Sequence, residues 1–122
     1  MGSHILLIED EPNITEALRY ILQREGYRVD THSDGASALE TIRERRPDMV
    51  ILDVMLPHRS GYDILRDLRA EPTHADLPVM ILTARGQDKD RDLATRYGAS
   101  RFMTKPFSNA EVLATVRELL AR

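Results

Sequence analysis

The sequence predicts an α/β domain in which helices cover both faces of a five-stranded parallel sheet. Short apolar runs alternate five times with segments whose apolar residues recur at helical spacing. Such an alternation implies crossover connections, which place helices on both faces of a parallel sheet. Some of the runs are almost wholly apolar, as in strands that are buried on both sides. The length of 122 residues suits one domain, which is predicted to span residues 4–121.

The first half of the chain supplies three strand–helix pairs. Pro12 suits the first turn of the first helix, and Gly26 marks its end. The strongest strand signal in the chain is the run DMVILDV. The predicted elements are strands at 4–8, 27–32 and 48–54, and helices between Pro12 and Gly26, around 38–42 and at 60–70.

The second half continues with two more pairs. The helix after the fourth strand is very polar, which fits a mobile signalling surface and equally an exposed, marginal helix. The last helix opens with Ser108 and Glu111, a capping box of the form S-x-x-E. The predicted elements are strands at 77–83 and 101–104, and helices at 88–97 and from Ser108 onward.

The composition argues against several classes of function. The absence of cysteine excludes a disulfide framework, a thiolate metal site and a cysteine nucleophile. A net charge of -3 gives no general attraction to nucleic acid or anionic membranes. No apolar run is long enough for a membrane span or a signal peptide, so a cytoplasmic location is expected. Glycine-rich nucleotide motifs are absent. Four histidines at no ligand spacing are interpreted as scattered surface residues: His4, His32, His58 and His74.

Charged and hydroxyl side chains stand at the ends of the predicted strands. Glu9 and Asp10 follow the first strand, and Asp53 lies near the end of the third. Thr83 ends the fourth strand, and Lys105 follows the fifth. Parallel α/β sheets bind ligands at the carboxyl ends of their strands. We therefore expect these five side chains at one edge of the sheet, although each taken alone is more often a cap, a turn former or a strand residue.

The charges of this group predict a divalent cation. Three carboxylates and one lysine sum to two negative charges, which a divalent cation neutralises. Carboxylate oxygens and a small number of protein ligands favour Mg²⁺, which accepts phosphate oxygens as well. A nucleophile, a Lewis acid and hydrogen-bond donors together indicate phosphoryl transfer. Asp53 is the predicted nucleophile because it closes the most buried strand.

Four segments resemble the response-regulator receiver domain of two-component signalling. They are ILLIEDEP, DMVILDVMLPHRSGYDIL, PVMILTARG and GASRFMTKPF, in the expected order and at the expected distances. The resemblance implies a flavodoxin-like fold with strand order 2-1-3-4-5. It also implies a phosphorylation-activated switch in a phosphorelay, which accepts its phosphoryl group from a histidine kinase or a histidine phosphotransfer protein. Such a domain is a phosphoacceptor that assists its own phosphorylation and dephosphorylation rather than an enzyme.

The resemblance also implies a role for each side chain at the sheet edge. Asp53 accepts the phosphoryl group, while Thr83 and Lys105 contact it. The implied Mg²⁺ ligands are the side chains of Glu9, Asp10 and Asp53 and the backbone carbonyl of Met55. The bond between Lys105 and Pro106 is expected to be cis, which aims the lysine ammonium group at Asp53.

A conformational switch is part of the same resemblance. Thr83 moves toward the phosphoryl group, and Phe102 swings into the space that it leaves. The surface of the fourth helix, fifth strand and fifth helix then changes and binds a downstream protein or output domain. Because phenylalanine lacks the hydroxyl of tyrosine, packing is predicted to favour an inward Phe102 ring even before phosphorylation.

Two alternatives stay open. The first is an aspartyl-phosphate phosphatase or phosphotransferase, although Met55, two residues after the nucleophile, cannot transfer a proton. The second concerns the output, which is either a stand-alone regulator or a DNA-binding transcriptional regulator truncated at Arg122. The spacing resembles receivers joined to winged-helix domains, whereas Ser100, Arg101 and Thr115 stand where those receivers carry dimer-pairing residues. No direct contact of this domain with nucleic acid or membrane is expected.

Overall fold

The computed structural model describes residues 2–84 and 88–121, and it contains the predicted parallel sheet between two layers of helices. The strand order is β2-β1-β3-β4-β5, and all neighbouring strands run parallel, which confirms the predicted flavodoxin-like fold class. The strands are β1 (His4–Ile8), β2 (Arg28–His32), β3 (Met49–Asp53), β4 (Val79–Thr83) and β5 (Arg101–Thr104). The α-helices are α1 (Pro12–Arg24), α2 (Ala38–Arg45), α3 (Gly61–Arg69), α4 (Asp88–Arg96) and α5 (Asn109–Leu120).

The three central strands are buried along their whole length. Successive side chains of β1 point to opposite faces: Leu6 and Ile8 pack toward α2 and α3, and Ile5 and Leu7 pack toward α1 and α5. The continuous apolar runs of the sequence reflect this burial on both faces. Burial on both sides holds the ends of β1, β3 and β4 in place, and these ends carry the predicted site.

Several boundaries differ from those predicted from the sequence, most of them by one residue and the start of the fourth strand by two. Strand β4 begins at Val79 rather than at residue 77, because Pro78 has no N–H to donate to a neighbouring strand. A 3₁₀ turn at Pro72–His74, which was not predicted, precedes this strand. Arg85 and Gly86, which end the motif PVMILTARG, lie outside the described residues. Within the described residues, none of the helices combines the length and the apolar character that a membrane span requires.

The interpretation of the histidines as scattered surface residues is wrong for His4. Its side chain is buried, with Nε2 2.7 Å from Asp30 Oδ2 on the neighbouring strand β2. Its backbone N–H donates to the carboxylate of Asp48 over 2.7 Å. In the parallel register His4 pairs with Arg28, so Asp30 lies one pleat further along the same face of the sheet. The contact between His4 and Asp30 results from the register of β1 against β2. A pattern of single residues along the sequence does not contain that register.

Gly61, the first residue of α3, lies against the end of β3. A Cβ atom at this position would lie 2.3 Å from the carbonyl oxygen of Asp53 and 2.9 Å from Val54 Cα. Both are backbone atoms of a buried segment, so no side-chain rotation can make room. We expect Gly61→Ala to lower the free energy of unfolding by about 1–3 kcal/mol in guanidinium titrations. Ala110→Gly, in the exposed first turn of α5, is the control and should cost about 1 kcal/mol or less. An unchanged stability of Gly61→Ala would contradict this packing.

Candidate functional site

The carboxyl ends of the strands bring the predicted charged residues into contact. Lys105 Nζ lies 2.8 Å from Glu9 Oε1 and 3.5 Å from Asp53 Oδ1. One carboxylate oxygen each of Glu9, Asp10 and Asp53 lies within 4.8 Å of the others. Thr83 is buried at the end of β4, which pairs directly with β3. All five residues therefore occupy one edge of the sheet.

Glu9 is a buried acid whose N–H and whose side chain both form hydrogen bonds with the backbone of neighbouring residues. Its N–H donates to the carbonyl of His32 at the end of β2, and its Oε2 accepts from the N–H of Glu11 over 3.1 Å. Burial raises the pKa of Glu9 to about 7. The neighbouring Asp53 adds to this rise in pKa, whereas Lys105 and the Glu11 amide oppose it. A cation bound beside Glu9 would favour its ionised form.

Lys105 is the positive group among these acids, and its side chain is only 11% exposed. Burial alone would lower its pKa, but the hydrogen bonds with Glu9 and Glu11 and the charges of Asp53 and Glu9 outweigh burial and raise it. Lys105 therefore stays an ammonium group at neutral pH. Its backbone N–H donates to the carbonyl of Thr83 over 2.7 Å, and the Lys105–Pro106 peptide bond is cis, as the resemblance implied.

Glu11 belongs to this cluster, although it is not among the site residues predicted from the sequence. Its Oε1 lies 3.1 Å from Lys105 Nζ, while its side chain stays largely exposed. The available signal was the run of three acids after β1. Glu11 is the N-cap residue of α1, so its place in the sequence indicates the start of a helix rather than a site residue. Its side chain makes no capping hydrogen bond and contacts the lysine instead.

Asp53 is 1% exposed and has two carboxylate oxygens in different environments. Oδ1 accepts from the N–H of Met55 over 3.4 Å and faces Lys105. Oδ2 is buried and has no hydrogen-bond partner among the described residues. A buried carboxylate oxygen without a partner is costly unless a cation lies near it. The acidic cluster of Glu9, Asp10 and Asp53 therefore fits a hard divalent ion such as Mg²⁺.

Phe102 lies on the edge strand β5, opposite Ile81 of β4. Its ring is partly buried against the core beneath α2 and α3. The guanidinium of Arg91, on α4, lies over the ring face at 5.0 Å from its centroid, within the range of a cation–π contact. The ring is thus partly buried and shielded by Arg91, and the preference for an inward ring before phosphorylation stays a prediction.

Helix α4 is polar, as predicted, but further contacts besides that of Arg91 attach it to the domain. Ala94 is buried in the core, and the hydroxyl of Tyr62 on α3 donates to the backbone carbonyl of Asp90 over 3.2 Å. The rings of Tyr62 and Tyr97 lie 6.3 Å apart between centroids. Among the described residues these contacts are fewer than those of the helices that bury a whole apolar stripe, so α4 is held less firmly there.

The family model described as "Response regulator receiver domain" matches residues 5–117, which include every residue of this site. The chain belongs to this family. Receiver domains are the signalling domains of two-component systems, so the predicted family is confirmed.

Curated relatives of this receiver domain are about twice as long as the chain. It is 43% identical to the probable transcriptional regulatory protein TcrX of Mycobacterium tuberculosis, over 97% of this chain and 50% of the relative. It is 41% identical to the alkaline phosphatase synthesis transcriptional regulatory protein PhoP of Bacillus subtilis, over 100% of this chain and 50% of the relative. The chain thus spans about half the length of these relatives.

Solved structures share the same fold over the full chain. A putative response regulator from Chloroflexus aurantiacus J-10-fl is 32% identical, with a TM-score of 0.95 and complete coverage of both chains. The receiver domain of the sensor histidine kinase PA1611 from Pseudomonas aeruginosa PAO1 is 30% identical, with a TM-score of 0.91 and complete coverage of both chains. A magnesium ion is coordinated in the active-site cleft of that second structure.

Proposed function

We propose that this receiver domain is a phosphorylation-activated switch that accepts a phosphoryl group on Asp53 from a histidine kinase or a histidine phosphotransfer protein. The observation that carries this proposal is the arrangement around Asp53, a buried carboxylate with Lys105 at one oxygen and a second oxygen without a partner among the described residues. An oxygen of Asp53 forms the new bond to phosphorus, and the bond between phosphorus and the donor's imidazole nitrogen breaks. The leaving imidazole keeps the electron pair of that bond and takes up a proton.

The surrounding residues supply charge and orientation for this transfer. Lys105 offsets the negative charge of the phosphoryl oxygens, and the hydroxyl of Thr83 donates a hydrogen bond to one of them. Mg²⁺ would be held by Glu9, Asp10, Asp53 and the backbone carbonyl of Met55. When bound, it neutralises charge between these acids and the phosphoryl group, which would otherwise repel each other.

The switch links Thr83 to the surface of α4, β5 and α5. When Thr83 turns toward the phosphoryl group, Phe102 moves into the space that is left and gives up its contact with Arg91. The α4–β5–α5 surface then favours a second conformation that binds a downstream protein or an output domain. The small number of contacts that α4 makes within the described part of the chain supports this proposal, because few of them must break for the surface to change.

Transcriptional control is the output that the relatives support, since two of them are named transcriptional regulatory proteins. The domain itself would act through protein contacts in the cytoplasm rather than by binding DNA. Arg101, at a position where winged-helix receivers carry an acid for dimer pairing, forms an ion pair with Glu118 of α5 in the same chain. We therefore propose that any pairing of two receivers here uses contacts other than that acid–arginine pair.

A comparison of wild type with Thr83→Ala tests the switch. Acetyl phosphate with Mg²⁺ should add one phosphoryl group to each protein, as intact mass shows, because Asp53 is unchanged in both. In the wild type, the amide resonances of Phe102 and Thr104 should shift on phosphorylation. In Thr83→Ala most of this shift should be lost, because no hydroxyl responds to the phosphoryl group. Equal shifts in both proteins would contradict the switch, and rapid multiple turnover of a phosphomonoester would instead favour the phosphatase alternative.

A further inference from the structure

Two loops beside the site are joined to each other by hydrogen bonds. They are residues 33–37, between β2 and α2, and residues 54–60, between β3 and α3. The N–H of Gly35 donates to the carbonyl of Pro57 over 3.0 Å, and Nδ1 of His58 lies 2.7 Å from Oδ1 of Asp34. A Cβ atom at Gly35 would lie 2.3 Å from the carbonyl oxygen of Arg59, so the approach requires glycine. We call the contacts of Asp34 and Gly35 with Pro57 and His58 the loop clasp.

His58 has a backbone conformation that a residue with a side chain rarely adopts. Its φ is 70°, in the left-handed region where a Cβ atom crowds the backbone. Burial does not compensate for this strain, because the side chain of His58 is 72% exposed. The hydrogen bond to Asp34 is therefore the side-chain contact that favours this conformation.

Asp34 is in turn held by the end of the sheet. Its Oδ2 accepts from the hydroxyl of Ser37 over 3.3 Å. Oγ of Ser37 lies 2.8 Å from Nε2 of His32, the last residue of β2. Because Ser37 uses its only hydrogen toward Asp34, His32 donates in this pair. The contact with His58 also lowers the pKa of Asp34, which keeps it an ionised acceptor.

The clasped loop reaches the phosphoryl site through Met55. The N–H of Met55 donates to Asp53 Oδ1, and its backbone carbonyl is the proposed fourth ligand for Mg²⁺. The Met55 side chain is 55% exposed, so packing contributes little to its position. Two backbone hydrogen bonds shape this segment, because the N–H groups of Leu56 and Gly61 both donate to the carbonyl of Val54. Only Leu56 and Pro57 separate Met55 from the strained His58, so a change of backbone at His58 would move Met55 as well.

We propose that Asp34 is a positioning residue for phosphoryl transfer, which holds His58 in the left-handed conformation and thereby places the backbone of Met55 beside Asp53. The inference rests on the proposed function of Asp53 and adds to it a contact from the neighbouring loop. Asp34 touches neither the phosphoryl group nor the metal in this proposal, and its effect passes through the backbone of the 54–60 loop.

A double-mutant cycle of Asp34→Ala and His58→Gly tests this role. Glycine adopts a φ of 70° without support, so a chain with His58→Gly does not need the clasp. Asp34→Ala alone should raise the Mg²⁺ concentration that gives half-maximal phosphorylation by acetyl phosphate. The expected rise is about three- to fivefold, which corresponds to the free energy of an exposed ion pair. The double variant should return to within about twofold of wild type. Asp63→Ala, which breaks an exposed ion pair with Arg66, is the control and should leave this concentration unchanged.

Amide resonances in the absence of Mg²⁺ give a second, independent measurement. In Asp34→Ala the amides of Met55 and residue 58 should shift or broaden, and in the double variant they should resemble those of His58→Gly alone. A defect of equal size in Asp34→Ala and in the double variant would overturn the proposal, because Asp34 would then act through stability alone. If the wild type accepts no phosphoryl group, the proposed function fails, and the amide comparison still decides whether the clasp holds the loop.

Discussion

Replacement of Asp53 by asparagine is expected to abolish phosphorylation of the domain by acetyl phosphate. Asparagine has nearly the same shape, so the buried end of β3 is preserved. Its neutral amide is a far weaker nucleophile than a carboxylate, and the label should therefore fall to background. Intact mass after incubation with acetyl phosphate and Mg²⁺ measures the result, and circular dichroism checks that the variant is folded.

A matched control separates this effect from a general loss of charge. Asp76 is exposed and precedes β4, at the opposite edge of the sheet from the site. Asp76→Asn removes the same charge and should be labelled as fully as the wild type. Label retained in Asp53→Asn, or full labelling of the wild type in an excess of chelator, would show that Asp53 is not the sole Mg²⁺-dependent acceptor.

Mg²⁺ is expected to stabilise the folded domain, and Asp10→Asn should remove most of this effect. Binding to the folded state alone stabilises by about 2.7 kcal/mol at a ligand concentration 100 times the dissociation constant. For 122 residues this corresponds to a rise of about 10 °C in the midpoint of thermal unfolding. Asp10 is exposed, so its replacement weakens the ion site without opening the core.

Calorimetry with and without Mg²⁺ measures this stabilisation, and a chelator should reverse it. Asp76→Asn again serves as the control and should show the full rise in midpoint. NaCl at matched ionic strength distinguishes a bound ion from screening of the acidic edge, since screening does not depend on which cation is used. An equal rise in Asp10→Asn, or the same rise with NaCl, would contradict a site built from these acids.

Much of the fold and most of the site could be predicted from the sequence because both depend on local patterns. Strands β1, β3 and β4 are apolar on both faces, which a run of single residues already reveals. Parallel strands then place all of their carboxyl ends at one edge. Glu9, Asp53 and Lys105 consequently lie together in the structure, as their positions behind separate strands predicted.

Contacts between residues far apart in the sequence were decided by the tertiary structure. The burial of His4 follows from the register of β1 against β2, and the reach of Glu11 to Lys105 follows from the way α1 begins. Asp34 and His58 belong to different loops, and no periodicity relates them. The sequence alone determined which chemical groups stand at the carboxyl edge, because strand direction follows from the alternation of elements. Only the tertiary structure decided which of these groups touch, because contact depends on strand register and loop conformation.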